Sequence, residues 1–169
     1  MLLYTDESRS EIATTFHMLR QQAYNRPRKP MIVFSPKQLL RRKAAKSQVE
    51  DFTSGTVQKV IGEHRSLGDV DRVLLCTGRI YYDLVEKAEK DGDDRTAIIR
   101  IEQLYPFPHK AFEAEMKRYA HATQVVWCQD EPQNQGAWFY VQHHISEALR
   151  EGQRLSYAGR AASASPAVG

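Results

Sequence analysis

Apolar runs of strand length alternate with single apolar helical faces along most of this chain. Near the start, Ser8 and Glu11 stand at capping-box spacing, and Ile12, Phe16, Leu19 and Ala23 recur at intervals of three and four. They predict a helix that fades near Tyr24 and Asn25, ahead of Pro27 and Pro30, which bar its continuation. Met31-Ile32-Val33-Phe34 predicts a short buried strand. Ser35-Pro36 then opens a helix through Leu40, and residues 43–54, with no clean period, read as an exposed connector.

From residue 57 the alternation becomes regular. Residues 57–61 predict a weak edge strand and residues 72–77 a strong buried one. Thr77-Gly78 turns the chain into a helix lined by Ile80, Leu84 and Ala88 and ended by Asp91-Gly92. Residues 96–101 form the next strand, Pro106 and Pro108 punctuate a loop, and Phe112, Met116 and Tyr119 share one helical face. The run Val125-Val126-Trp127-Cys128 is of the kind buried on both sides of a sheet. A polar loop, 129–135, follows, with Asn134 placed to cap a helix faced by Trp138, Val141, Ile145 and Leu149. Residues 154–157 supply a last strand. Strands separated by single helices require parallel pairing with right-handed crossovers, so the expected fold is an α/β three-layer sandwich with a mostly parallel sheet.

Composition narrows the class. The chain has 169 residues, enough for one domain or one domain and a fragment of another, and 41% of them are hydrophobic. No apolar run approaches a membrane span, and the first residues lack the blocks of a secretory signal, so neither membrane nor secretion is expected. Cys76 and Cys128 each close an apolar run and read as buried free thiols of a reducing, cytoplasmic compartment. The net charge of +3 conceals a division: eight basic and no acidic residues lie between Arg26 and Lys46, and the rest of the chain is net acidic. With no aromatic residue interleaved among the charges except Phe34, which sits in an apolar run, the basic stretch reads as a solvated linker. Nucleic acid is not the expected partner.

The chemistry is sparse. There is no glycine-rich dinucleotide fingerprint, no phosphate loop and no nucleophile elbow. His143 and His144 are adjacent, but neighbours on a helix diverge by about 100° and cannot both face one small site. One exposed and one partly buried histidine is expected, with no metal ligand set. Asp130 and Glu131, at the end of a strand, are the candidate acid–base pair, against an ordinary reading as solvated or ion-paired loop charges. The remaining candidate is an anion site: the helix start at Asn134, Gln135 and Gly136 with its backbone donors, joined by Arg79 and by Arg160. If the strands before them are near neighbours, these groups converge at one sheet edge. Capping alone explains Asn134 and the glycines equally well.

At these positions the chain resembles a known family. Residues 36–41 (Pro-Lys-Gln-Leu-Leu-Arg), 77–84 (Thr-Gly-Arg-Ile-Tyr-Tyr-Asp-Leu), 100–108 (Arg-Ile-Glu-Gln-Leu-Tyr-Pro-Phe-Pro), 127–138 (Trp-Cys-Gln-Asp-Glu-Pro-Gln-Asn-Gln-Gly-Ala-Trp) and 157–169 (Tyr-Ala-Gly-Arg-Ala-Ala-Ser-Ala-Ser-Pro-Ala-Val-Gly) are similar to the C-terminal region of 2-oxoglutarate dehydrogenase E1. The resemblance divides the chain into four parts. Residues 1–42 resemble the closing helix and strand of a truncated pyrimidine-binding domain, 43–56 a linker, 57–160 a transketolase-type C-terminal domain, and 161–169 a flexible tail.

The activity implied is thiamine-diphosphate- and magnesium-dependent oxidative decarboxylation of 2-oxoglutarate, with succinyl transfer to a lipoyl-bearing E2. The implied partners are the rest of the E1 chain, a second E1 subunit and E2, in the cytoplasm or, in a eukaryote, the mitochondrial matrix. The family's Gly-Asp-Gly cofactor motif has no counterpart here, so no catalytic or cofactor-binding residue carries over. The expected role is to brace a dimer and, at Arg79, Asn134, Gln135, Gly136 and Arg160, to hold an effector such as acetyl-CoA or a nucleotide. The alternatives are an E1 for another 2-oxoacid, such as 2-oxoadipate, and a free-standing module that binds an acidic partner.

Overall fold

The computed structural model describes residues 11–26, 29–33 and 47–165. In chain order the elements are α1 (Glu11–Tyr24), α2 (Val49–Thr53), β1 (Val60–Ile61), β2 (Arg72–Cys76), α3 (Ile80–Asp91) and β3 (Thr96–Ile101). Then come α4 (His109–Met116), prolonged by a 3-10 turn (Lys117–Tyr119), β4 (Gln124–Pro132), α5 (Trp138–Ala148) and β5 (Arg154–Arg160). The strands form one sheet in the order β1-β3-β2-β4-β5. β3, β2, β4 and β5 are parallel, and the two-residue β1 runs antiparallel on the edge of β3. Among the described residues, no helix is long and apolar enough to cross a membrane.

Strand alternation builds the two sides. Val73 and Leu75 of β2, Ala97, Ile99 and Ile101 of β3, and Val125 and Trp127 of β4 point to one face. There they meet Phe112 and Met116 of α4 and Trp138, Val141 and Ile145 of α5. Leu74, Cys76, Ile98, Val126 and Cys128 point to the other, under Tyr81, Tyr82 and Ala88 of α3. The expected helical faces are met at Phe112, Met116 and Tyr119 and at Trp138, Val141 and Ile145, all buried. Gly92 ends α3 in the left-handed region at φ 65°, as its place after Asp91 predicts. Cys76 and Cys128 are free and buried and lie opposite one another in the β2–β4 register. Burial pushes the Cys128 thiol up to about 11.

A carboxylate substitutes for the missing length of β1. Beyond Ile61, the Oε2 of Glu63 accepts the backbone N–H of Ile98 at 2.9 Å, a donor on the β3 edge that two-residue β1 does not reach. Arg65 donates to Glu63 (Nη2 to Oε2, 2.7 Å) and to the carbonyls of Asp93 and Thr96. Burial alone would raise the Glu63 pKa. The hydrogen bonds from Arg65 and from the backbone of Arg65 and Ile98, with the Arg65 charge, outweigh it and hold Glu63 below its ordinary value.

Three expectations fail in the N-terminal part. Residues 31–33 are irregular, not a buried strand, and Ile32 is 63% exposed; a short apolar run becomes a strand only beside a partner, and no described strand adjoins it. The apolar face read for α1 is also wrong at three of its positions. Phe16 (42% exposed), Leu19 (53%) and Ala23 lie outward, whereas Ala13, Thr14, His17 and Met18 are buried. Polar anchors turn the helix this way: the Ala13 N–H donates to Ser47 Oγ at 3.0 Å, and His17 Nε2 donates to the Asp51 carbonyl at 2.7 Å. Those anchors lie in the stretch read as a featureless connector, which contains α2, its start fixed by the Asp51 carboxylate on the Gln48 N–H. Ser8, Phe34, the predicted helix at 35–40 and most of the basic stretch lie outside the described residues.

Candidate functional site

The parallel strands deliver their C-terminal ends to one edge of the sheet, the position where open α/β sheets meet ligands. Cys76 is paired with Cys128, and Pro132 with Arg160, so the chain segments after β2 and β4 and the end of β5 all emerge there. Arg79, just before α3, and Arg160 therefore share an edge, as the sequence reading requires. They flank β4 on opposite sides, Arg79 beside Asp130 and Arg160 paired with Pro132.

The arginine on the β2 side is neutralised by its neighbours. Arg79 donates to Asp130 Oδ2 at 2.7 Å and approaches Asp83 Oδ2 at 3.4 Å, with its side chain 39% exposed. Asp130 is thus ion-paired, the ordinary of the two readings that its sequence position offered. On the β5 side the Arg160 carbonyl accepts the Gln133 N–H at 3.0 Å and the Tyr157 hydroxyl at 3.1 Å.

The helix start expected at Asn134 lies further on. β4 continues through Pro132 and α5 begins at Trp138, so Asn134, Gln135 and Gly136 form the turn between them. Asn134 does not cap. Its amide Nδ2 donates to the Ser163 carbonyl at 3.0 Å, its Oδ1 accepts the Ser163 N–H at 2.9 Å, and Gln135 Nε2 adds a bond to the same carbonyl. The tail is thereby tied to this turn. Gly136 holds φ at 64°, and an added Cβ would sit 3.0 Å from both Gln129 Nε2 and Glu131 Oε2. The Glu131 carboxylate already occupies the ground beside the turn.

Gln129 organises the region, and the sequence reading passed over it. It is buried in β4. Its Oε1 accepts the Trp127 indole N–H at 2.9 Å and the Trp138 backbone N–H at 3.1 Å, which is the capping bond of α5. Its Nε2 donates to the carbonyls of Gln135 (2.8 Å), Pro132 (3.1 Å) and Glu131 (3.3 Å). A glutamine at the end of an apolar run, between two tryptophans nine and two residues away, was the available signal.

On the α3 face the same edge holds a further cation, and this one is buried. Arg100 of β3 and Glu102 form an ion pair at 2.7 Å, both side chains sealed from solvent, and the guanidinium lies 4.2 Å from the centre of the Tyr81 ring. Three carboxylates near this edge, Asp83, Asp130 and Glu102, are each paired with an arginine.

Comparison with known proteins gives a consistent set of relatives. A family model described as 2-oxoglutarate dehydrogenase C-terminal matches residues 46–169. The chain is 56% identical over 160 residues to the 2-oxoglutarate dehydrogenase E1 component of Cupriavidus necator, 50% over 159 residues to that of Haemophilus influenzae and 46% over 158 residues to that of Coxiella burnetii. These matches cover 93%, 93% and 91% of this chain, but only 17% of the length of each relative.

Proposed function

We propose, from the premise that this chain belongs to the 2-oxoglutarate dehydrogenase E1 family and corresponds to its C-terminal region, that it serves as a structural part of a 2-oxoacid dehydrogenase. The whole assembly would be a thiamine-diphosphate-dependent enzyme that decarboxylates 2-oxoglutarate and passes a succinyl group to lipoyl-bearing E2. The observation that carries this reading is the match itself: it extends over nearly all of this chain and only 17% of each relative. The structural role is supported by the sheet edge, where Asp83, Asp130 and Glu102 are each paired with an arginine. In this reading residues 57–160 are the transketolase-type domain, and the cofactor is held by residues elsewhere in the family's longer chain.

Calorimetric titration of the 169-residue chain with thiamine diphosphate and magnesium tests the division of labour. No saturable binding is expected, and micromolar binding would overturn it. Joining the chain to the preceding part of a relative should restore 2-oxoglutarate-dependent activity.

A second reading, an effector site for acetyl-CoA or a nucleotide, rests on the shared edge of Arg79 and Arg160. A phosphate would have to displace Asp130 from Arg79. Arg79→Ala should then weaken acetyl-CoA binding to the joined enzyme about tenfold, the ~1.5 kcal/mol of a modest charge-assisted hydrogen bond. Unchanged affinity would leave Arg79 a partner of Asp130 only.

A further inference from the structure

Away from the sheet edge, α4 and α5 bring together three side chains that the sequence scatters. His109 opens α4, while His144 and Glu147 lie three residues apart on α5 and so on one side of it. One ring nitrogen of each histidine and one carboxylate oxygen of Glu147 all lie within 4.8 Å of one another. A tetrahedral ion with bonds of ~2.0–2.1 Å holds its ligand atoms about 3.4 Å apart. His109 and Glu147 are exposed and can close that difference by rotating their side chains.

The third ligand is held in place. The His144 ring stacks on Phe107 at 4.7 Å and 16°, and meets His109 and Tyr140 edge-on at 4.9 and 5.2 Å. Phe107 is in turn fixed against Phe112 of the core. The Nδ1 of His144 is shut off from solvent and makes no hydrogen bond among the described residues, an open capacity of the kind an ion or a water resolves. The adjacent His143 is exposed and its ring lies against that of His144, centroids 3.8 Å apart, closer than neighbours on a helix were expected to come, but it stands outside the three-residue group; the second imidazole of that group comes from another helix.

We propose that His109, His144 and Glu147 form a three-ligand site for a divalent transition-metal ion of the zinc class, joining the start of α4 to α5. Two imidazoles and one carboxylate favour zinc, nickel, cobalt or copper over magnesium and calcium, which seek oxygen alone. Three protein ligands leave a fourth position for water. The ion would link two helices that otherwise meet through apolar contacts and aromatic edges.

Titration of the metal-free 169-residue chain with Zn²⁺ is expected to show one site whose occupation raises the thermal midpoint. His109→Ala and Glu147→Gln should each weaken it by at least ~10-fold, since even outer-shell partners of metal ligands change affinity by that much. Both replaced groups are exposed, so the metal-free variants should melt as the parent does. His121→Ala, whose imidazole faces Asp69 elsewhere, should bind as the parent does. Co²⁺ should give the visible absorption of a tetrahedral site in the parent and lose it in His144→Ala. No saturable Zn²⁺ binding by the parent, or an affinity unchanged in both the His109 and Glu147 variants, overturns the site.

Discussion

The amide of Gln129 shows how one residue can join two elements. Its oxygen serves the Trp127 indole and the first N–H of α5, and its nitrogen serves the turn between β4 and α5. Gln129→Leu keeps the volume and strands two buried donors, each at about 1–3 kcal/mol. A loss of at least ~2 kcal/mol in unfolding free energy is expected, with altered tryptophan fluorescence; a loss below ~0.5 kcal/mol would show that water replaces the amide. Only the flanking tryptophans mark this role in sequence, and a glutamine beside Asp130 and Glu131 otherwise has the composition of a solvated loop. Glu63 is equally inconspicuous. Its pKa is lowered in the folded state, so its stabilisation is complete above the ordinary value of 4.5 and is lost as pH falls through the lower folded value. Glu63→Gln should therefore cost ~1–3 kcal/mol at pH 7, and the gap to the parent should narrow as pH falls below 4.5. A gap that stays constant down to pH 3 would place the stabilisation outside the charge.

At the scale of elements, what was legible is what periodicity records. The buried faces of α4 and α5, the wholly buried β3 and the Gly92 stop follow from spacing and turn chemistry. What was not legible depends on distant partners. β4 outruns its apolar stretch because β5 continues to pair with it through Gln129 and, past an irregularity, at Pro132. Polar residues there are held by a ladder that hydropathy does not register. The orientation of α1 is set by Ser47 and Asp51, more than thirty residues away, against its own strongest apolar stripe. A helix attached by two polar anchors, with Phe16 and Leu19 turned outward, should open at low cost. Hydrogen exchange is expected to show the amides of α1 less protected than those of residues 74–76 in β2. Equal protection in a monomer would mean that α1 belongs to the cooperative core.

For the whole molecule, the layers followed from alternation of strand and helix, and so did the common edge of Arg79 and Arg160. The neutralisation of Arg79 did not, because it depends on the β2–β4 register that places Asp130 beside it. The strand order has a further consequence, for time instead of for place. β2 lies at the centre, bordered by β3 and β4, and the β2–β3, β2–β4 and β4–β5 pairings are all parallel and separated by intervening helices. No hairpin of adjacent strands is available to start the sheet cheaply, and loop closure favours the shorter separation first. Arg72 meets Thr96 well before the chain reaches Gln124, so β2, α3 and β3 form the unit that can assemble earliest. Folding should be slow for a chain of this size, with β4 adding to a preformed pair and β5 last. Pulse-labelled exchange during refolding should find residues 73–75 and 97–99 protected before 155–158. If β5 amides are protected as early as those of β2, the sheet condenses as one body and its order of synthesis leaves no mark on its order of assembly.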